Sequence, residues 1–301
     1  MIFEIFQSFF ILGWICDFIF LCISIRKLLI LDPLCLLYLI FYLFIEYIEY
    51  FPFFDYMSKL YIQSYKNYFK YEKYKPSKIN KNKKEIFLLG PHGMFITSIM
   101  AFGVFNVSKK YRKHLKLFVS PTLIYNPIVN LFSKIIQGGN KVLPLDHKTV
   151  VKNLKEHKYN FSVSIGGFEE LNLFRDNNNI VYTGRWEYWV YHAIKYNYNI
   201  TFCYCYGGSQ DYKSLLGDNF LWFRELCAKN YIPCNLVYGK WGILPFNNVK
   251  LTEVMYQIEL PYIPNITKEE SKKYFEEFRS GALETLLKSK PDDGQDPFVI
   301  I

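Results

Sequence analysis

Two apolar runs lie close together near the start of the chain: Phe9 to Ile25 (FFILGWICDFIFLCISI), interrupted by Asp17, and Leu28 to Ile45 (LLILDPLCLLYLIFYLFI), interrupted by Asp32 and Pro33. A helix needs about 20 apolar residues to cross a hydrocarbon core, so each run alone is marginal and the pair reads as a membrane hairpin, either spanning or re-entrant. Arg26, Lys27 and Asp32-Pro33 sit where it would turn, and Pro33 suits the first turn of a second helix, where its missing N–H has no partner anyway. A cleaved signal peptide fits poorly, because Glu4 replaces a basic start and no small-x-small cleavage site follows. Beyond Lys84 short apolar runs alternate with longer amphipathic ones. Ile86 to Leu89, Leu115 to Val119, Lys141 to Leu145, Phe161 to Ile165 and Ile200 to Tyr206 are predicted as strands. Pro127 to Ile136, Lys148 to Glu156, Glu187 to Tyr196 and Ser271 to Lys290 are predicted as helices. The alternation predicts an α/β fold: a mostly parallel or mixed sheet flanked by helices, with functional loops at the strand ends.

The organisation that follows is an anchor over residues 1–58, a basic juxtamembrane connector over 59–84 and one catalytic-sized domain over 85–301. The connector (KLYIQSYKNYFKYEKYKPSKINKNKK from Lys59) is dense in Lys and Tyr. It reads either as a solvated linker or as contact with anionic headgroups; nucleic acid falls behind, since no nucleic-acid module follows. The 36 Lys and Arg against 27 Asp and Glu, a net charge of +9, suit several anionic partners and choose none. At 51% hydrophobic and 21% charged residues the chain is not a disordered tail. Seven Cys without a Cys-x-x-Cys pair, and five His, make no zinc framework or disulfide scaffold, so no metal site is expected and a reducing compartment is the simpler reading.

The strongest local chemistry is Gly90-Pro91-His92-Gly93, a His directly after a predicted strand, with Pro91 fixing the turn and glycines allowing close approach. His92 held there has the properties of a general base for a hydroxyl attacking an acyl carbon; the plainer alternative is a turn His bonded to backbone. A second strand ends in Gly166-Gly167-Phe168-Glu169-Glu170. One carboxylate there would fix the tautomer of His92, or the glycine amides would face a developing oxyanion; a solvated helix start with acids near its N-terminus explains the pattern equally well. Arg185 is suited to a phosphate or carboxylate, or is an ordinary surface Arg. Cys203 and Cys205 alternate on a strand and read as core, as does His192 inside an apolar helix; Asp146-His147 reads as a helix-start pair and His157 as a surface position.

With these residues in view the chain resembles the family of diacylglycerol acyltransferase type 2, with the monoacylglycerol and wax-alcohol acyltransferases. The Pro-His-Gly tripeptide is Pro91-His92-Gly93, preceded by Gly90 where the family usually has His, Tyr or Glu. The family's Gly-Gly-x-x-Glu is matched by Gly166, Gly167 and Glu170, and its Trp-Gly-x-x-Pro by Trp241, Gly242 and Pro245. Tyr204 to Tyr212 (YCYGGSQDY) resembles the family's strand ending in aromatic-Gly-Glu and a following Tyr, with Gly207 and Tyr212 retained and Gly208 in place of Glu. The Arg-x-Gly-Phe stretch is reduced to Arg185-Trp186-Glu187-Tyr188-Trp189. Thr97 stands five residues after His92, where glycerol-phosphate acyltransferases place Asp, which argues against the phospholipid-acylating relatives. The match runs in order over about residues 10 to 260, hairpin included.

The resemblance implies acyl transfer from acyl-CoA to a neutral lipid hydroxyl, foremost that of diacylglycerol, with monoacylglycerol or a fatty alcohol as the alternative acceptor and a noncatalytic membrane or lipid-droplet protein as the rival class. It implies His92 and Glu170 as catalytic residues, with Pro91, Gly93, Gly166 and Gly167 as motif and oxyanion support. Arg185, Tyr212, Trp241, Gly242 and Pro245 become candidates for substrate binding. No permanently bound cofactor is implied, acyl-CoA being a co-substrate. The expected partners are therefore acyl-CoA, the lipid acceptor and the bilayer, with a homo-oligomer left open and nucleic acid excluded. The expected location is a membrane, the endoplasmic reticulum or a lipid droplet, with the catalytic domain facing the cytosol.

Overall fold

A computed structural model of the chain describes residues 52–73, 83–91, 115–124, 142–174, 179–291 and 298–300, apart from 218, 231, 233 and 243, together with positions 4, 5, 8, 130, 131 and 133. In chain order the elements are α1 (Pro52–Tyr68), β1 (Lys70–Lys73), β2 (Lys84–Gly90), β3 (Leu115–Val119), α2 (Pro121–Ile124), β4 (Val142–Pro144), α3 (His147–Glu156) and β5 (Asn160–Ser164). They continue with α4 (Gly167–Leu173), β6 (Asn179–Val181), α5 (Trp186–Lys195), β7 (Tyr198–Tyr206), β8 (Lys213–Ser214), α6 (Leu221–Lys229), β9 (Val237–Tyr238), β10 (Lys250–Ile258), α7 (Lys268–Lys288) and β11 (Phe298–Ile300). The predicted hairpin and most of the predicted helix Pro127 to Ile136 lie outside the described residues, within which no helix is long and apolar enough to cross a membrane.

The main sheet has seven strands in the order β1-β10-β7-β2-β5-β3-β4. From β7 to β4 every pairing is parallel; β10 runs antiparallel to β7, and β1 parallel to β10. This is the α/β, mostly parallel sheet that the alternation predicts. Its strands read as continuous apolar runs because both faces are buried, as all nine residues of β7 are. One face, with Ile86, Leu88, Phe161, Val163, Phe202 and Tyr204, packs under α3, α5 and α7, which contribute Val150, Leu154, Trp189, Val190, Phe278 and Ala282. The other face carries Phe87, Leu89, Leu117, Cys203 and Met255. Cys203 and Cys205 are both buried in the sheet core, as their alternation suggested.

Helix ends are set by local chemistry. Asp146 caps α3 by accepting from the Thr149 amide at 2.8 Å, and Thr267 with Glu270 forms a capping box at the start of α7. His157, read as a surface position, is half-buried at the end of α3, in the left-handed region, with Nδ1 donating to Tyr196 O at 3.1 Å. The stretch set apart by composition as a connector contributes much of α1 and all of β1 to the folded body. Its order comes from an aromatic stripe: Tyr61, Tyr65 and Phe69 recur every fourth residue, are buried, and pack in sequence as tilted ring pairs with centroids 6.3 and 4.8 Å apart.

Candidate active site

The central strand β2 lies between β5 and β7, and the C-terminal ends of all three meet at one edge of the sheet. Gly90 is in register with Tyr204 and Leu89 with Ser164, so Pro91, Gly166 and Gly207 emerge side by side. The Gly90–Pro91 peptide is cis, and Pro91 is buried. His92 and Gly93 lie outside the described residues. A Cβ placed on Gly208 would meet Pro91 Cγ at 3.5 Å, so this glycine lies directly against Pro91. Gly207 has φ +87°, and a Cβ there would sit 2.2 Å from Lys250 O; only glycine lets β7 and β10 approach this closely at the turn.

After β5 the chain turns through Gly166 and Gly167 directly into α4, whose first turn carries both acids. Glu170 is 4% exposed, and its Oε1 accepts from the Tyr182 amide at 3.0 Å. Its carboxyl folds back onto Gly166: a Cβ on that residue would lie 1.9 Å from Glu170 Cδ. The solvated-acid alternative therefore does not hold for Glu170, although the helix start does. Glu169 points elsewhere. Its Oε1 accepts from Arg185 Nη2 at 2.6 Å, while its Oε2 is buried with no donor among the described residues. Arg185, directly ahead of α5, thus has a carboxylate of its own chain in its fork, and the pair ties the starts of α4 and α5 together.

The other sequence candidates form a second group. Trp241 and Gly242 occupy a turn closed by Gly242 N to Gly239 O at 3.0 Å, and Trp241 is 75% exposed with φ +55°. Pro245 is buried, and its carbonyl accepts from the Tyr68 hydroxyl of α1 at 2.6 Å. Tyr212 is buried; a Cβ on Gly239 would come within 3.1 Å of its ring, which seats the turn against it.

Sequence reasoning missed the support beneath α4. Arg224, on α6, is fully buried and donates to Asn172 O at 2.7 Å, Gly217 O at 2.6 Å and Phe174 O. Asn235 Nδ2 donates to Leu171 O at 3.1 Å, and Asn172 Oδ1 accepts from the Cys234 amide at 2.9 Å. A guanidinium at a helix C-terminus satisfies orphan carbonyls and complements the dipole, so the helix that carries Glu170 is held from its far end. Arg224, Cys227 and Ala228, at i, i+3 and i+4, are the signal that marks this inner face. At the opposite end of the sheet Glu85 of β2 is buried and accepts from Thr201 Oγ1 and, at 3.1 Å, from Gln257 Nε2. Burial lifts its carboxyl to about 7, against the pull of those hydrogen bonds and of Lys83. Among the described residues no group of three or more His, Cys, Asp or Glu is placed to hold a metal.

A parallel sheet with a glycine-rich helix start, a buried carboxylate and the Gly90-Pro91 strand end gathered at its C-terminal edge is the layout of an α/β enzyme, with its site outside the strand ends. The family described as diacylglycerol acyltransferase matches over residues 23–290, and the chain belongs to it. It is a diacylglycerol O-acyltransferase-like enzyme, a transferase of lipid and triacylglycerol synthesis that acts on a lipid acceptor such as diacylglycerol. No curated protein and no solved structure shows significant similarity to the chain.

Proposed function

We propose that the enzyme transfers a fatty acyl group from acyl-CoA to the free hydroxyl of diacylglycerol, giving triacylglycerol. The observation that carries this reading is the burial of Glu170 at the Gly166–Gly167 helix start, one strand over from the strand that runs into Pro91-His92. His92 takes the hydroxyl proton as the oxygen attacks the thioester carbonyl. The C–S bond breaks as the new ester C–O bond forms, and the coenzyme A thiolate leaves and recovers the proton from His92. Glu170 keeps the imidazole in the tautomer that presents a bare nitrogen to the hydroxyl. The amides of the helix start at Gly166 and Gly167 have no intrahelical partner, and with that of Gly93 they are the donors suited to the tetrahedral oxyanion. Both substrates carry long chains, which favours a membrane location, at the endoplasmic reticulum or a lipid droplet, with the domain facing the cytosol and the anionic coenzyme approaching from water.

The test is product analysis with membranes containing equal amounts of wild type or His92→Ala, given labelled oleoyl-CoA and, separately, diacylglycerol, monoacylglycerol and a long-chain alcohol. Labelled triacylglycerol lost in the variant supports the proposal. Preferential acylation of either other acceptor replaces the substrate, and product unchanged by His92→Ala removes the proposed base.

A further inference from the structure

Exposed large hydrophobic side chains are not spread evenly over the molecule. Of the 13 among the described residues, nine fall between positions 215 and 241. Helix α6 is the centre of the patch and is turned opposite to an ordinary surface helix. Its buried face carries Arg224, Cys227 and Ala228, whereas Trp222 (69% exposed), Phe223 and Leu226 face outward, with the Trp222 and Phe223 rings in contact at 5.8 Å. The neighbours extend the surface. Exposed Ile232 follows the helix, its amide bonded to Cys227 O at 2.9 Å, and exposed Leu215 and Leu236 are joined by a backbone bond of 2.8 Å. Two of the four non-glycine residues with positive φ among the described residues, Phe220 and Trp241, are exposed aromatics of this region, so the fold holds them outward at a conformational cost. A patch of this kind on a folded chain marks a contact with something apolar.

Three observations say what that is. First, Lys240 beside Trp241 binds Glu4 at 2.9 Å and lies over the rings of Trp241 (4.7 Å) and Tyr68 (5.8 Å). Glu4, a few residues ahead of the apolar runs between Phe9 and Ile45, and Tyr68, the last residue of the helix that follows them, thus both lie beside Lys240 at the edge of the patch. Exposed Ile5 continues the apolar surface there. Second, Lys213 and Lys229 are exposed beside the aromatics, with Glu225 the one exposed acid among the described residues of 213–241. Third, the mixture of Trp, Phe and Leu bordered by Lys is what the headgroup–acyl boundary selects.

We propose that the outer face of α6 with its flanking turns is a second membrane-contact surface of this enzyme, lying in the interface of a lipid bilayer on the same side as the apolar N-terminal segment. Because Arg224 and Asn235 of this region hold the C-terminal end of α4, the surface places the helix that carries Glu170 one layer above the lipid. This goes beyond the choice of acceptor and the role of His92, and its readout is optical, so it stands or falls separately from them.

The test uses the full chain reconstituted in phosphatidylcholine–phosphatidylserine vesicles whose upper acyl chains are brominated, a short-range quencher of tryptophan. The five tryptophans are Trp14 in the first apolar run, the buried Trp186 and Trp189, and the exposed Trp222 and Trp241. The lipid-quenched share of the emission falls in Trp222→Phe and falls further in Trp222→Phe/Trp241→Phe, with retained Trp186 and Trp189 emission reporting an intact core. In ordinary vesicles aqueous iodide leaves the Trp222 component unquenched. Iodide quenching of Trp222 without a bromine effect overturns the proposal, since the surface then faces water. Protection from both quenchers that disappears at low protein-to-lipid ratio overturns it in favour of a second copy of the chain.

Discussion

Gly166→Ala tests the proposed role of Glu170 without touching a titratable group. A methyl at this position would lie 1.9 Å from Cδ, 2.0 Å from Oε2 and 2.4 Å from Cγ of Glu170. All three atoms belong to one flexible side chain, so accommodation swings that carboxyl away. The backbone at Gly166 (φ −75°, ψ −32°) already suits alanine, so no strain accompanies the change. The loss is the charged hydrogen bond from the Tyr182 amide, about 1.5–3 kcal/mol, offset by about 0.5–1 kcal/mol from a less flexible unfolded chain. Net destabilisation of about 1–2 kcal/mol leaves a folded protein, measurable by thermal unfolding in detergent. Displacing a carboxylate that orients a catalytic imidazole costs about 10–100-fold. The expected result is a drop of that size in kcat with KM for acyl-CoA little changed, matching Glu170→Gln. Because both variants remove the same function, Gly166→Ala/Glu170→Gln is expected to be no worse than the poorer single variant. Full activity in a folded Gly166→Ala enzyme, or losses that multiply in the double variant, would refute the assignment.

Arg224→Leu leaves the Asn172 carbonyl without this donor and loosens Phe174 O, which keeps Asn235, and Gly217 O; it is expected to cost about 1–3 kcal/mol in a denaturant titration, with Arg224→Lys intermediate because an ammonium cannot span the same acceptors. Gly207→Ala meets a backbone oxygen at 2.2 Å and a left-handed φ together; it is expected to lose roughly 2 kcal/mol or more, read as a lower unfolding temperature, in contrast to Gly166→Ala. Glu85 predicts a pH dependence. Its folded carboxyl, near 7, titrates above the ordinary 4.5, so its protonated form stabilises the fold fully below about 4.5, and that contribution is lost as pH rises to about 7. The loss is roughly 3 kcal/mol. Glu85→Gln is expected to flatten this part of the stability profile and to unfold at higher temperature than wild type at pH 8.

What the sequence makes legible follows from where its polarity lies. Leu115 to Val119 is apolar apart from Lys116, bounded by polar residues, and forms a strand with those bounds. β10 escaped because buried Thr252 and Glu253 break its apolar pattern; polar residues inside a strand look like a surface until their partners are known. The boundary of α7 slipped for a related reason. The helix starts at Lys268, under the Thr267–Glu270 capping box, whereas the apolar periodicity begins a turn later. α1 was hidden by its lysines, although Tyr61, Tyr65 and Phe69 carry a helical stripe through them. α6 is the harder case: its strongest apolar residues face outward and its buried face contains an arginine, so a reading based on hydrophobicity turns the helix the wrong way.

The two adjacent acids show where sequence reading of the site runs out. Glu169 and Glu170 are chemically the same and both sit in the first turn of α4, but neighbouring helical residues point about 100° apart, so one site cannot take both. The fold separates them through partners distant in sequence: the Tyr182 amide receives Glu170 and Arg185 receives Glu169. Gly167 makes the second pairing fit. Its φ of +51° swings the chain into the helix, and a Cβ there would lie 3.3 Å from both Arg185 Nη1 and Glu169 Oε2, tighter than an ordinary contact. The two glycines of the motif therefore serve different acids, Gly166 making room for Glu170 and Gly167 for the Glu169–Arg185 pair. The pair fixes the start of α5 against α4. Arg185 is held there by its own chain's carboxylate, so any anionic group of a substrate that reaches it must compete with Glu169.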